Sequence, residues 1–250
     1  FINQANSGLT GWGRWIAGIV LIIVVWQVIG NIPLLITCGY LEESQMRQFS
    51  CSNYIITGDS PILNFVLTNY GFIIGIIGIW VTLKFIHRKT LTQVITGRQS
   101  FDYNRTLYAI LVGICIFTAL FLFQLVVSQS SFSFQSPRPW EYLLFFMFAI
   151  VLVPYQCAFE EIFFRGYLMQ GISLITRNKY LIVGLSSLIF MIPHLLNPEP
   201  YEYGFFGYIL TLLVLGAVFG LITLLDGGIE LAVGMHAINN LWLYLIASTE

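Results

Sequence analysis

The sequence predicts an all-α protein, a polytopic transmembrane helix bundle of about seven to eight spans, and three observations predict it. Of 250 residues, 57% are hydrophobic and 9% charged, against roughly 25% charged in a soluble domain, so the chain cannot clothe itself in a water-facing surface. Mean hydropathy is +0.81. The apolar runs are long and unbroken, where the strands of a membrane barrel would alternate over about ten residues. The net charge of -1 and the absence of an extended basic cluster argue against nucleic acid as a partner.

In chain order the apolar runs are Trp15 to Ile36, Ile62 to Leu83, Thr106 to Val127, Trp140 to Cys157, Leu181 to Leu196, Gly204 to Leu225 and Ile229 to Ile246. A span needs about 20 apolar residues. The first run is too long for a signal-peptide core and lacks a small-residue cleavage pattern after it, so it reads as a true span. The chain begins at Phe1 and not at Met, which leaves room for residues before it and for an eighth span after Glu250.

Lys84, Arg88, Lys89, Arg98 and Arg105 all fall between the second and third runs, and basic loops favour the cytoplasmic side. The segment from Cys38 to Pro61 sets Arg47 against Glu42, Glu43 and Asp59, and Ser128 to Arg138 holds one basic residue. Both are expected outside. Arg177 and Lys179 then fall inside, which puts the N-terminus in the cytoplasm.

Cys38 and Cys51 share the expected outer segment, where two readings stay open: a disulfide or two free thiols. Cys115 and Cys157 lie in apolar runs and read as small core residues. Gly71 with Gly75, and Gly216 with Gly220, are GxxxG pairs suited to close helix packing.

The informative residues are polar groups inside the apolar runs, each costing about 2.5 to 3.5 kcal/mol or more near the bilayer centre. His87, in the basic loop, is expected to be solvated. His194 and His236 are embedded in SSLIFMIPHLL and LAVGMHAINNLW, and Glu160, Glu161 and Arg165 in AFEEIFFRGYL. Glu161 and Arg165 are spaced i,i+4 with the acid toward the N-terminus, so they can neutralise each other. Glu160 points about 100° away, without a partner in its own segment. His236 and Asn240 are again i,i+4. Phe190 precedes His194 by one turn, and Pro193 removes a backbone donor there.

A turn near Arg177 to Lys179 makes an antiparallel pair in which Glu160 and His194 each lie roughly 25 Å from the turn at about 1.5 Å per residue. They are level. His236 lies roughly 10 to 15 Å from the turn at Asp226 to Gly228, so the heights agree if the Arg177 hairpin projects beyond the bilayer, with the site in its cytoplasmic half. A carboxylate, two imidazoles and an amide supply a general base and oxyanion donors. No G-x-S-x-G or H-E-x-x-H motif accompanies them. The alternatives are a polar network that only pins helices and a proton or ion path.

Glu160-Glu161-Ile-Phe-Phe-Arg165 with Gly166-Tyr167-Leu168, then Phe190-x-x-x-His194, then His236-x-x-x-Asn240, in that order, resemble the three motifs of the CAAX protease and bacteriocin-processing (CPBP, Abi) family. The resemblance covers about Pro154 to Leu241 and leaves residues 1–139 as transmembrane scaffold and 140–250 as the catalytic helical core of one integrated membrane domain. It implies an intramembrane endopeptidase in a bacterial cytoplasmic membrane, acting on a membrane-associated or lipidated protein or peptide. By position Glu160 would activate water, His194 would assist, His236 and Asn240 would stabilise the oxyanion, and Glu161 and Arg165 would support them. The family has also been described as metal-dependent, in which case Glu160, His194 and His236 would hold Zn2+; the metal-free mechanism is the reading preferred. Members also serve as scaffolds that bind a membrane or cell-envelope protein without cleaving it. A transporter is disfavoured, since no pair of interrupted helices recurs in matching halves.

Overall fold

The computed structural model describes residues 1–43, 49–52, 55–58, 61–127, 138–195, 197 and 204–246. Each of the seven apolar runs is a helix: α1 Trp12–Leu41, α2 Ile62–His87, α3 Tyr103–Val127, α4 Pro139–Ser173, α5 Lys179–His194, α6 Phe205–Asp226 and α7 Glu230–Leu245. The chain is an integral membrane protein. α1, α2, α3, α4 and α6 are long and apolar enough to cross a membrane. α5 and α7 have 16 residues each, about 24 Å at 1.5 Å per residue, short of a hydrocarbon core about 30 Å thick. Polar residues shorten them: Asn178 caps the start of α5 by accepting from the amides of Tyr180 and Leu181, and α7 opens on the buried Glu230.

α4 runs unbroken for 35 residues, well beyond one bilayer thickness, as the projecting hairpin requires. One end of the bundle gathers the N-terminal segment, the stretch between α2 and α3, the foot of α4 and the α6–α7 turn. Gln170 Nε2 donates to the Gln93 carbonyl at 2.8 Å, Gly97 N to the Gly227 carbonyl at 2.8 Å and Ile229 N to the Ile95 carbonyl at 2.9 Å. The basic residues used to orient the chain therefore do lie at one end, although Arg98 and Arg105 are not simply solvated: both pair with Asp226.

At the opposite end a two-stranded antiparallel hairpin, β1 Phe49–Ser52 and β2 Ile55–Gly58, is the one departure from helix among the described residues outside turns and loops. Cys38 and Cys51 form a disulfide with Cα atoms 5.5 Å apart, which resolves the two readings left open. Arg47, Asp59, Ser128 and Leu196 lie outside the described residues.

Both glycine pairs pack helices. A Cβ at Gly75 would run into Phe159 of α4, Gly71 lies against the Gly30 backbone of α1, Gly216 against Ser187, and Gly220 against Val183 of α5. The main core joins Trp15 and Ile22 of α1, Ile79 and Leu83 of α2, and Phe159, Phe163, Phe164 and Tyr167 of α4. Cys157 is buried as expected, but Cys115 is exposed on α3. An apolar run in a membrane protein faces lipid as readily as core, because lipid is as apolar as leucine.

Candidate active site

α4 changes its winding where its charges begin. It is α-helical through Glu160 and π-wound over Glu161–Leu168, a local irregularity often found at functional sites. Glu161 and Arg165 are 0% exposed and Glu160 and His236 4%, so their charges have only each other to answer to.

Arg165 Nη1 donates to Glu161 Oε1 at 2.8 Å, as the i,i+4 spacing predicts. The same oxygen meets His236 Nδ1 of α7 at 2.8 Å. An ionised carboxylate only accepts, so Nδ1 carries the hydrogen and the tautomer of His236 is fixed. His236 Nε2 then faces Glu160 Oε2 at 3.7 Å, too far for a direct hydrogen bond and suited to a bridging water. Arg165, Glu161, His236 and Glu160 thus form one line of contacts. Contrary to expectation, Glu160 also has a partner in its own segment: Gln156 Nε2 donates to Glu160 Oε1 at 3.3 Å. Glu161 Oε2 and Gln156 Oε1 are buried with no hydrogen-bond partner.

Aromatic rings enclose the line. The Arg165 guanidinium lies 4.3 Å from the Phe190 ring centroid, 5.5 Å from Phe219 and 6.0 Å from Phe164, contacts favourable to a desolvated cation. Arg165 Nη2 also donates to the Gly216 carbonyl at 3.5 Å. Phe219 stacks on His236 at 5.1 Å.

His194 is half-buried at the end of α5, its Nδ1 donating to the Phe190 carbonyl at 2.8 Å. That leaves Nε2 as the acceptor of a neutral ring. No hydrogen bond joins His194 to Glu160. The Phe190 ring packs against both histidines, 4.7 Å from His194 and 6.3 Å from His236. Asn240, half-buried one turn beyond His236, accepts at Oδ1 from Asn239 Nδ2 at 3.0 Å, which leaves its own Nδ2 as the group it can offer. The structure therefore brings Glu160, Glu161, Arg165 and His236 into contact and sets His194 and Asn240 at the edge.

The residues named for Zn2+ fit it in part. Glu160 and His236 are near enough to share an ion, but no group of three His, Cys, Asp or Glu side chains that could hold a metal occurs among the described residues.

Sequence reasoning missed Gln156, which its i,i+4 relation to Glu160 could have shown. It missed Phe164 and Phe219 because aromatic residues in an apolar run carry no polar mark. It also misread His87, which is 0% exposed and bonded on both ring nitrogens.

Fold and site together define a polytopic membrane protein with a buried acid–imidazole centre built from three separated motifs. Residues 139–242 match the family described as Type II CAAX prenyl endopeptidase Rce1-like. This region holds every motif residue, and over it the chain is similar to the CAAX protease and bacteriocin-processing family. Over 251 residues the chain is 26% identical to Uncharacterized protein YyaK of Bacillus subtilis (strain 168), an alignment spanning 100% of this chain and 82% of that protein. No solved structure matches it.

Proposed function

We propose that the chain is an intramembrane endopeptidase that hydrolyses a peptide bond of a membrane-associated or lipidated protein or peptide, with its N-terminus in the cytoplasm of a bacterial cell. The observation that carries this reading is the 3.7 Å gap between Glu160 Oε2 and His236 Nε2, beside a carboxylate that no arginine neutralises directly. A water in that gap gives its proton to Glu160 while its oxygen attacks the carbonyl carbon. His194 Nε2, at the edge of the site, assists in orienting that water. The negative charge that develops on the carbonyl oxygen is met by Asn240 Nδ2 and by Nε2–H of His236 as imidazolium, whose Nδ1–H stays on Glu161. The C–N bond then breaks, the departing amine takes the proton held by Glu160, and a new carboxylate and amine leave.

Glu161 and Arg165 take no proton in this scheme. They keep Nδ1–H of His236 on Glu161 and hold the ring in one orientation. No metal is required, and 1,10-phenanthroline is expected to leave cleavage unchanged; inactivation that added zinc reverses would replace this mechanism by a metal-dependent one.

The test compares protein termini in membranes containing the wild-type chain with membranes containing Glu160→Gln at equal expression. New termini found only with the wild type support the protease and name its substrate. Identical sets of termini, with co-purifying proteins retained in both, would instead favour a scaffold.

A further inference from the structure

Residues 1–139 carry no motif, yet one of their side chains reaches the catalytic stretch of α4. His87, the last residue of α2, is 0% exposed, and its Nε2 lies 2.7 Å from the hydroxyl of Tyr167, also 0% exposed. Tyr167 is two residues past Arg165, inside the π-wound segment Glu161–Leu168. His87 Nδ1 lies 3.0 Å from the Leu9 carbonyl. A carbonyl can only accept, so Nδ1 carries the hydrogen, and in the neutral ring Nε2 accepts from the Tyr167 hydroxyl. The Trp15 ring packs 4.6 Å from His87 and 4.5 Å from Tyr167. Gly18 of α1 leaves the room: any Cβ there would collide with the Tyr167 hydroxyl.

We propose that His87 and Tyr167 are positioning residues, a joint through which the N-terminal helices hold the π-wound stretch bearing Glu161 and Arg165, closed while His87 is neutral and opened when it is protonated. The proposal rests on the reading of that stretch as the catalytic site.

The hydrogen count gives the direction. A protonated ring donates from both nitrogens, so Tyr167 would have to accept and turn its own proton elsewhere. The Trp15 carbonyl is 3.5 Å away, at the limit of a hydrogen bond. The charged groups beside His87 are Lys89 and Arg14, both cationic. Lys89 Nζ donates to the carbonyls of Gln4 and Ala5 at 2.9 and 3.1 Å, and Arg14 Nη1 to the carbonyl of Ile86 at 2.9 Å. From α4 Tyr167 faces the ring, and from α1 Trp15 does. Among the described residues no carboxylate is paired with His87. A positive charge there meets only like charge, so the joint is present at higher pH and lost as pH falls.

The test is hydrogen–deuterium exchange of the full chain in lipid nanodiscs, corrected for intrinsic rates, at pH 8 and pH 5. It compares wild type, Tyr167→Phe, His87→Asn and Glu160→Gln. In the wild type, residues 161–173 are expected to exchange faster at pH 5 than at pH 8. Tyr167→Phe loses one buried hydrogen bond and is expected to exchange there about five-fold faster than wild type at pH 8, with no further rise at pH 5. His87→Asn, whose amide can still donate to Leu9 but stops short of Tyr167, is expected to do the same while residues 1–11 keep their protection. It serves alone if Tyr167→Phe does not fold. Glu160→Gln is expected to match the wild type at both pH values, so loss of its cleavage and loss of the joint are read separately. Wild-type protection and wild-type pH dependence in the folded Tyr167→Phe or His87→Asn variant would overturn the proposal.

Discussion

Two ionic networks in this molecule use the same kinds of side chain and differ in where they sit. At the end of the bundle Arg98 pairs with Asp226 at 3.1 Å and with Glu230 at 3.3 Å, and Arg105 pairs with Asp226 and Asp102. The arginine side chains there are 28% and 42% exposed. Inside the bundle the side chains of Arg165 and Glu161 are 1% and 0% exposed, and those of His236 and Glu160 6% each. The outer network ties the stretch after α2 to the α6–α7 turn, with water at hand for its arginines although Asp226 and Glu230 are buried. The inner one has no such recourse. It holds two carboxylates against one arginine, so it balances only when His236 is charged or Glu160 is protonated. The outer network also has one carboxylate more than it has arginines, so what separates the site from the fastening is the enclosure of its arginine and the imidazole placed between its two carboxylates.

The contrast breaks most easily at the inner pair. Arg165→Ala or Glu161→Ala leaves an unpaired charge in the bundle, and such a break costs about 3 to 5 kcal/mol; folded yield and melting temperature in detergent should both fall sharply. Normal yield and melting for both variants would remove the structural role given to the pair. Next come the groups assigned to the developing charge. Loss of one oxyanion donor costs about 10² to 10³ in turnover, so His236→Ala and Asn240→Ala should lower kcat with little change in KM. A change confined to KM would place these residues in substrate binding. The smallest effect belongs to the outer network. Arg98→Ala leaves Asp226 paired with Arg105 and Glu230 accepting from the Asp102 amide, so it should lower the melting temperature less than loss of Arg165 and leave cleavage per folded molecule unchanged. A loss of activity without loss of melting temperature would mean that this end of the molecule also takes part in the reaction.

The class of fold was legible in the sequence because lipid imposes one rule on every span: continuous apolar residues in helical segments. Seven runs of that kind became seven helices. Local pairings were legible for a similar reason, since Glu161 and Arg165 sit one turn apart and their contact follows from helix geometry alone. Contacts between helices were legible only in outline. That Glu160 and His236 could meet followed from rise per residue once the Arg177 hairpin projects, but which glutamate His236 would bond did not. It bonds Glu161 closely and Glu160 at a distance, a choice made by packing. The π-winding has no mark in the residues, and neither does the Phe219 face on His236. His87 was misread because it stands among basic residues at the end of an apolar run, where solvation is the ordinary outcome. Its burial is created by residues 1–11 folding back over it, with Leu9 N donating to the His87 carbonyl at 2.6 Å.

The central claim is that two adjacent glutamates have separate tasks, one chemical and one structural. It is tested most directly by measuring melting temperature and cleavage for Glu160→Gln and Glu161→Gln side by side in the same lipid, with a substrate whose new terminus the wild type produces. Glu160→Gln is expected to melt like the wild type and not to cleave, while Glu161→Gln is expected to melt lower and to lose folded protein along with activity. Cleavage that survives in Glu160→Gln, or a Glu161→Gln protein that melts like the wild type, would contradict it.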